Sequence, residues 1–412
     1  MDVLFPKCAG LDVHRDTVVA CTRRATGRTV AYDTRTFGTA TKDLMALSEW
    51  LSEHEVTHVA MEATGVYWRP VWQVLDGDFE LVLANPMHIK NVPGRKTDVN
   101  DAKWISDLLA HGLIRASFVP PTPVQDLRVM TRTRKQLVRE RASHVQRVDK
   151  ILQDANIKLG SVLTDIMGES GRVVLDAIVV GETDPEKLLV HVSKRVKAPR
   201  EKIVEALRGK VSASHRFLLK LHLAQADTLQ KAVDAIDCEV GERLEPFRSA
   251  AERLIEIPGV SNVIAAAIVS EIGVDMSRFP TVGHLISWAG LCPRNDESAG
   301  KRRSTRLRNG APWLKTLLVQ SAWCATRAKG TYLQAQFFRL KARRGPRKAI
   351  MAVAASILTA VYFMLKDGTS YADLGADHFV RHDRVKEAQR LLRKLAALDF
   401  DVAAVRDKKA AA

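Results

Sequence analysis

"KCAGLDVHRDTVVACTRRATGRTVAYDTRTF", residues 7–37, is the stretch on which the fold turns. It holds three β-rich segments, 7–14, 17–24 and 28–37, separated by the short turns "RD" and "ATG", and so predicts a three-stranded meander. Outward from it, "TKDLMALSEWLSEH" (41–54) has helical periodicity and opens on Thr41, a good N-cap residue type. "THVAMEAT" (57–64) reads as a strand, and "GVYWRPVWQVLDGD" (65–78) as a helix with Pro70 near its start. "FELVLANP" (79–86) is another strand. After a basic loop, "GRKTDVNDAKWISDLL" (94–109) begins a helix that runs to about His111.

The resulting order, βββαβαβα, is that of an RNase H-like (RuvC-like) fold, so the chain is expected to be α/β in its first part. In such a sheet the first and fourth strands are neighbours, and the last helix crosses their ends. Four carboxylates would then converge: Asp12, Glu62, Asp98 and Asp101. Left alone, they would repel and raise one another's pKa. One or two Mg²⁺ ions would resolve this, because hard cations take oxygen ligands and a pair of them can clamp a phosphoryl transfer. Lys90, Arg95 and Lys96 beside the D-x-x-D motif suit phosphate. The bland readings are a turn residue at Asp12, a helix cap at Glu62 and a solvated helix face at Asp98 and Asp101. His14 and Asp16 lie close to Asp12 in supporting positions.

With 63 Lys and Arg against 47 Asp and Glu, the net charge of +16 points to a polyanionic partner. Hydrophobic content of 46% and charged content of 27% make the chain globular rather than disordered. Five cysteines without C-x-x-C spacing favour a reducing compartment over a disulfide or zinc framework. No signal peptide is expected. The apolar run Ala349–Leu365 is read as a buried core helix rather than a membrane span. The expected location is the cytoplasm, at the nucleoid.

Residues 124–156 contain no Gly or Pro, and positions 127, 130, 134, 137, 141, 144, 148, 151 and 155 step by three and four. This predicts a coiled-coil seam carrying Arg134, Arg141 and His144, which either dimerises or contacts RNA. The alternative is a solvated basic helix. Residues 160–250 continue helical and polar. "LIEIPGVSNVIAAAIVSEIG" (254–273) looks like a helix-hairpin-helix, able to hold a DNA phosphate on its turn amides, or else an ordinary helical hairpin. Between Gly300 and Lys348 stand fourteen Lys or Arg and no acid, which ordinary mixed-sign surface does not explain. Lys301, Arg302, Arg303, Arg306 and Arg308 lead this run. Aromatic residues interleaved with it suit the core, and some suit base stacking. Ser298, in the polar loop "NDESAGKRRS", is a hydroxyl without a neighbouring base in sequence. On residues alone Ser304 and Thr305 stand level with it, and an ordinary loop serine is the simpler reading.

"GLDVHRD", "MEATGVYW", "KTDVNDA", "IPGVSNVIAAAIVSEIG" and "GLCPRNDESAGKRRS", in this order, resemble the insertion sequence 110 family of transposases. The resemblance spans roughly residues 5–370. It implies a RuvC-like domain (1–122), a coiled-coil and helical region (123–250) and a transposase domain with a serine loop (251–370); the residues beyond (371–412) read, from their own composition, as a charged helical tail with a disordered end. The resemblance further implies an Mg²⁺-binding tetrad of Asp12, Glu62, Asp98 and Asp101, and a phosphoserine intermediate at Ser298. A non-coding bridge RNA would pair with target and donor DNA, and the protein would act as a dimer or a dimer of dimers. Two other functions fit fewer of these features: a RuvC-like Mg²⁺-dependent endonuclease using water, and a non-catalytic nucleic-acid scaffold.

Overall fold

The computed structural model describes residues 3–27, 29–63, 65–86, 89, 101–294, 296–298, 300–304, 306–308 and 310–398. At 296–298, 302, 303, 380–387 and 390 it describes the backbone alone. The chain divides into two compact units, Met1–Val119 and Pro120–Ala412.

The first unit is built on five strands: β1 (Lys7–Val13), β2 (Thr17–Thr26), β3 (Thr29–Gly38), β4 (His58–Glu62) and β5 (Glu80–Ala84). Their order in the sheet is β3-β2-β1-β4-β5. The first three pair antiparallel as the meander expected, while β4 lies parallel to both β1 and β5. The helices are α1 (Thr41–Glu53), α2 (Trp68–Leu75) and α3 (Asp101–Ala110), so the element order agrees with the sequence reading. One detail differs. Ala40 is the N-cap of α1 and Thr41 is its first helical residue, so no side chain caps that end.

Alternation along the strands sorts the side chains into two layers. Ala9, Leu11 and Val13 of β1, with Val59 and Met61 of β4, face a core shared with Leu47, Leu51, Val71 and Leu75 of α1 and α2. Cys8 and Ala60 face the opposite core, which holds Ile105, Leu108 and Leu109 of α3. Burial of each such leucine or isoleucine stabilises the unit by roughly 1.5–3 kcal/mol.

Among its described residues, the second unit is helical apart from one small hairpin. Helix α4 (Thr122–Asp154) is followed by four short helices, α5 (Leu159–Val162), α6 (Glu169–Val180), α7 (Pro185–Val190) and α8 (Arg200–Leu207), and then by α9 (Ala213–Arg243). Helix α9 runs back antiparallel along α4: Arg243 pairs with Asp126, Arg134 with Asp237, His144 with His222, and His215 with Asp154. Every one of the nine seam positions is buried or half-buried. Within the chain, this seam packs against α9. The polar residues midway along it hold the two helices in register. Residues 160–250, unremarkable in sequence, supply the returning helix and a small core at the arm's tip, where Leu152, Leu175, Ile178 and Leu219 meet.

Beyond the arm come α10 (Arg248–Ile255), α11 (Asn262–Ile272), α12 (Val282–Trp288), strands β6 (Asp296–Ser298) and β7 (Lys301–Ser304), α13 (Pro312–Ala325), α14 (Tyr332–Arg344), α15 (Pro346–Asp367) and α16 (His378–Ala396). Gly259, in the turn between α10 and α11, has φ +87°. A side chain there would strike Ser321 O and stand 2.7 Å from Ala325 N, so this helical hairpin packs through its turn against α13. Helix α15 is long and apolar enough to cross a membrane. It nevertheless packs as a core helix: Ile350, Val353, Ile357, Leu358 and Val361 are buried, and the Tyr362 hydroxyl donates to Phe279 O at 3.1 Å.

Candidate active site

Two of the four expected carboxylates meet through strand register. Leu11 pairs with Met61 across β1 and β4, so the next step along both strands brings Asp12 beside Glu62. Alternation puts both on the face of Cys8 and Ala60, the face that α3 covers. Both are half-buried. The His14 ring nitrogen Nε2 lies 3.1 Å from Asp12 Oδ2.

Helix α3 carries the third, Asp101, as its first residue. Gly10 allows it to lie directly on β1: a side chain at that position would collide with Ala102 O and stand 2.5 Å from Ser106 N. Cys8 Sγ donates to Ser106 O at 3.5 Å. The helix thus runs opposite to β1, with its N-terminal residue Asp101 toward the end of the sheet that carries Asp12 and Glu62. Asp98 and Lys96 fall outside the described residues. Among the described residues, no group of three or more His, Cys, Asp or Glu stands close enough to hold a metal ion. What the sheet does assemble is an all-oxygen donor pair with a third carboxylate at the adjoining helix end, which is the ligand chemistry of a hard divalent cation.

Reading the sequence missed what fixes α3 in place. Arg23 on β2, only 4% exposed, donates to Asp107 Oδ1 at 2.9 Å, and the Tyr32 hydroxyl donates to the same oxygen at 2.7 Å. Gly10 had a signal, since a glycine inside a strand marks close approach of another backbone. Arg23 gave none beyond an unexpected charge in a strand. Cys8 is buried on the same face, and burial pushes its thiol up to about 12.

Ser298 is the last residue of β6 rather than a loop residue, and its backbone pairs with Lys301 of β7. Gly300, just before β7, has φ +72°, a left-handed conformation that favours glycine. The ladder continues below the hairpin, where Arg294 N donates to Arg306 O and Arg308 N to Cys292 O. Lys301, Arg306 and Arg308 are exposed around it. Arg308 also donates to Ser287 Oγ at 3.0 Å. Arg302 and Arg303 are described by backbone only. The two seam arginines are placed differently: Arg134 is spent on Asp237, and Arg141 sits half-buried within the arm.

The ends of the central strands β1 and β4 thus carry a pair of carboxylates, and the second unit carries a basic hairpin. Comparison with known families identifies the class of protein. Residues 9–157 match the DEDD family of IS110 described as "Transposase", and residues 251–337 match "Transposase IS116/IS110/IS902 family". The two matches together span more than half of the chain. The transposase for insertion sequence element IS1111A of Coxiella burnetii is 22% identical over 76% of this chain and 79% of its own length. An uncharacterized protein of insertion element IS116 from Streptomyces clavuligerus is 27% identical over 59% of this chain and 68% of its own. One from insertion element IS110 of Streptomyces coelicolor is 33% identical over 29% of each. The chain belongs to the IS110 family of transposases, whose business is to cut and rejoin DNA.

Proposed function

We propose that this transposase recombines DNA of a mobile element through two sets of groups: an acidic tetrad of Asp12, Glu62, Asp98 and Asp101, and a serine nucleophile, Ser298. The observation that carries the first half is the Leu11–Met61 register, which sets Asp12 beside Glu62 under α3. The strand order β3-β2-β1-β4-β5 supports an RNase H-like reading of the sheet. Mg²⁺ held by these carboxylates would supply Lewis-acid stabilisation of charge on the phosphoryl oxygens.

The serine oxygen attacks phosphorus as a bridging P–O bond of the strand breaks, and the departing oxygen takes up a proton. A hydroxyl of the partner strand then attacks the phosphoserine, which rejoins DNA and restores the serine. The hairpin cations Lys301, Arg302, Arg303, Arg306 and Arg308, with Lys96, hold phosphates during both steps. A non-coding bridge RNA supplies sequence recognition by base pairing to target and donor DNA. The protein holds backbone, consistent with a charge of +16. The working form is a dimer or a dimer of dimers, in which the carboxylates of one subunit serve the serine of another.

The test is a denaturing gel. Protein purified with co-expressed RNA and incubated with Mg²⁺ and labelled DNA yields a covalent protein–DNA adduct, which Ser298→Ala abolishes. Cleavage without an adduct would instead identify a RuvC-like hydrolytic endonuclease. Binding gives a second readout. Neutralising Arg302, Arg303 and Arg306 lowers affinity and flattens the plot of log K against log salt by roughly 0.9 for each duplex phosphate released. An unchanged slope would remove these residues from the interface.

A further inference from the structure

At the root of the arm, α4, α9, α11 and α13 line a cavity of about 270 Å³. Trp313 walls it on one side. Around the indole stand Arg132 Cζ at 5.5 Å, Lys135 Nζ at 5.3 Å and Arg139 Cζ at 5.8 Å from the ring centroid. Three cations around one aromatic ring are more than its quadrupole balances. Arg132 is neutralised by Glu271, to which it donates two hydrogen bonds of 2.7 and 2.8 Å. Among the described residues, neither Lys135 nor Arg139 has an ion-pair partner. The Lys135 ammonium nitrogen is buried without a hydrogen bond. Burial, with the charge of Arg139 added, pulls its pKa below the ordinary lysine value. An anion between Lys135 and Arg139 would relieve both strains at once.

The rest of the lining is different in character. Val138, Ile264 and Leu317 make it apolar beside the indole. Ser261, the N-cap of α11, also lines the cavity, and its hydroxyl makes no capping bond. A small inorganic anion would satisfy the cations and leave this apolar slot unfilled. A larger ligand exceeds it, since pockets for drug-sized molecules run to roughly 300–1,000 Å³. One ligand carrying both a phosphate and a flat ring answers both halves.

We propose that the cavity captures one unpaired nucleotide of a bound single strand, its base against Trp313 and its phosphate between Lys135 and Arg139. The site is distinct from the carboxylates and from Ser298. It rests on the chain's handling of nucleic acid, not on the chemistry proposed for those groups.

The experiment uses the full-length protein with EDTA, so that no catalysis is read, and two labelled probes: a short single strand and the same sequence as a duplex. Trp313→Leu is expected to weaken single-strand binding by roughly 5- to 150-fold, the loss of one base stack, with duplex binding unchanged. Arg139→Gln changes an exposed side chain and should leave folding intact. It is expected to weaken single-strand binding and lower its salt slope by roughly 0.7, the value of one phosphate. Equal losses on both probes, or no loss on the single strand in Arg139→Gln, would overturn the proposal. EDTA removes catalysis from the readout, so a failure of the serine mechanism would leave this result standing.

Discussion

Gly10→Ala is expected to unseat α3 and silence the DNA chemistry. The added methyl meets backbone on the helix, at Ala102 O and Ser106 N, and neither can rotate away. Overpacking of this kind costs about 1–3 kcal/mol and moves the intruding element outward. The element moved is the one that carries Asp101 toward Asp12 and Glu62, so loss of cleavage should exceed what the loss of stability explains. Gly241→Ala is the matched control. It makes the same chemical change near the C-terminal end of α9, where nothing lies within 4 Å, and is expected to be neutral or slightly stabilising. Denaturant midpoints and the adduct gel, run on both variants, decide the matter. A Gly10→Ala protein of normal stability and activity would mean that α3 does not rest on β1 at this glycine.

Glu271→Ala should produce the second large effect, on the other unit. The Glu271 carboxylate is 2% exposed and accepts both hydrogen bonds of Arg132. Arg128 secures the same helix end by donating to Ser270 O at 3.1 Å and Glu271 O at 2.6 Å. Removing the acid leaves the Arg132 charge beside Lys135 and Arg139 with nothing to offset it. Breaking a buried pair from one side is strongly destabilising, and here about 3 kcal/mol is expected, because Arg132 keeps partial contact with solvent. Glu271→Gln retains the shape and should lose less. A drop below about 1 kcal/mol in denaturant titration would show that water takes over the acid's role, as it does for surface pairs.

The N-terminal sheet was legible because its signals are local. Strands alternate every second residue, the turns are short, and the helices between them repeat every three to four. Asp12 and Glu62 could be matched from strand order alone, because parallel neighbours end together. The seam of α4 was legible as a periodicity, but periodicity declares that a helix has a partner and not which one. The partner, α9, lies some eighty residues downstream in a polar stretch with weak patterning. Ser298 was read in a loop because β6 and β7 are too short and too polar to alternate. Glu271 was hidden for the opposite reason, a single acid closing an apolar helix, "AAAIVSEI", with its cations more than a hundred residues away. The cluster around Trp313 has the same origin: residues 132–139 and 313 meet only when the arm docks on α11.

The arm of α4 and α9 is also a ruler. A helix of 33 residues at 1.5 Å per residue spans about 50 Å, and α9 returns over nearly the same length. Its root is pinned by Leu127, Val240 and Ala266, and its tip by a separate core. Between the two the packing is repetitive, so seven residues removed from each leg at facing points would restore the same faces and leave both ends intact. Such a cut would shorten the span by about 10 Å. The distance between the tip module and the root is therefore a number written in heptads, one that can change between relatives without touching a catalytic residue.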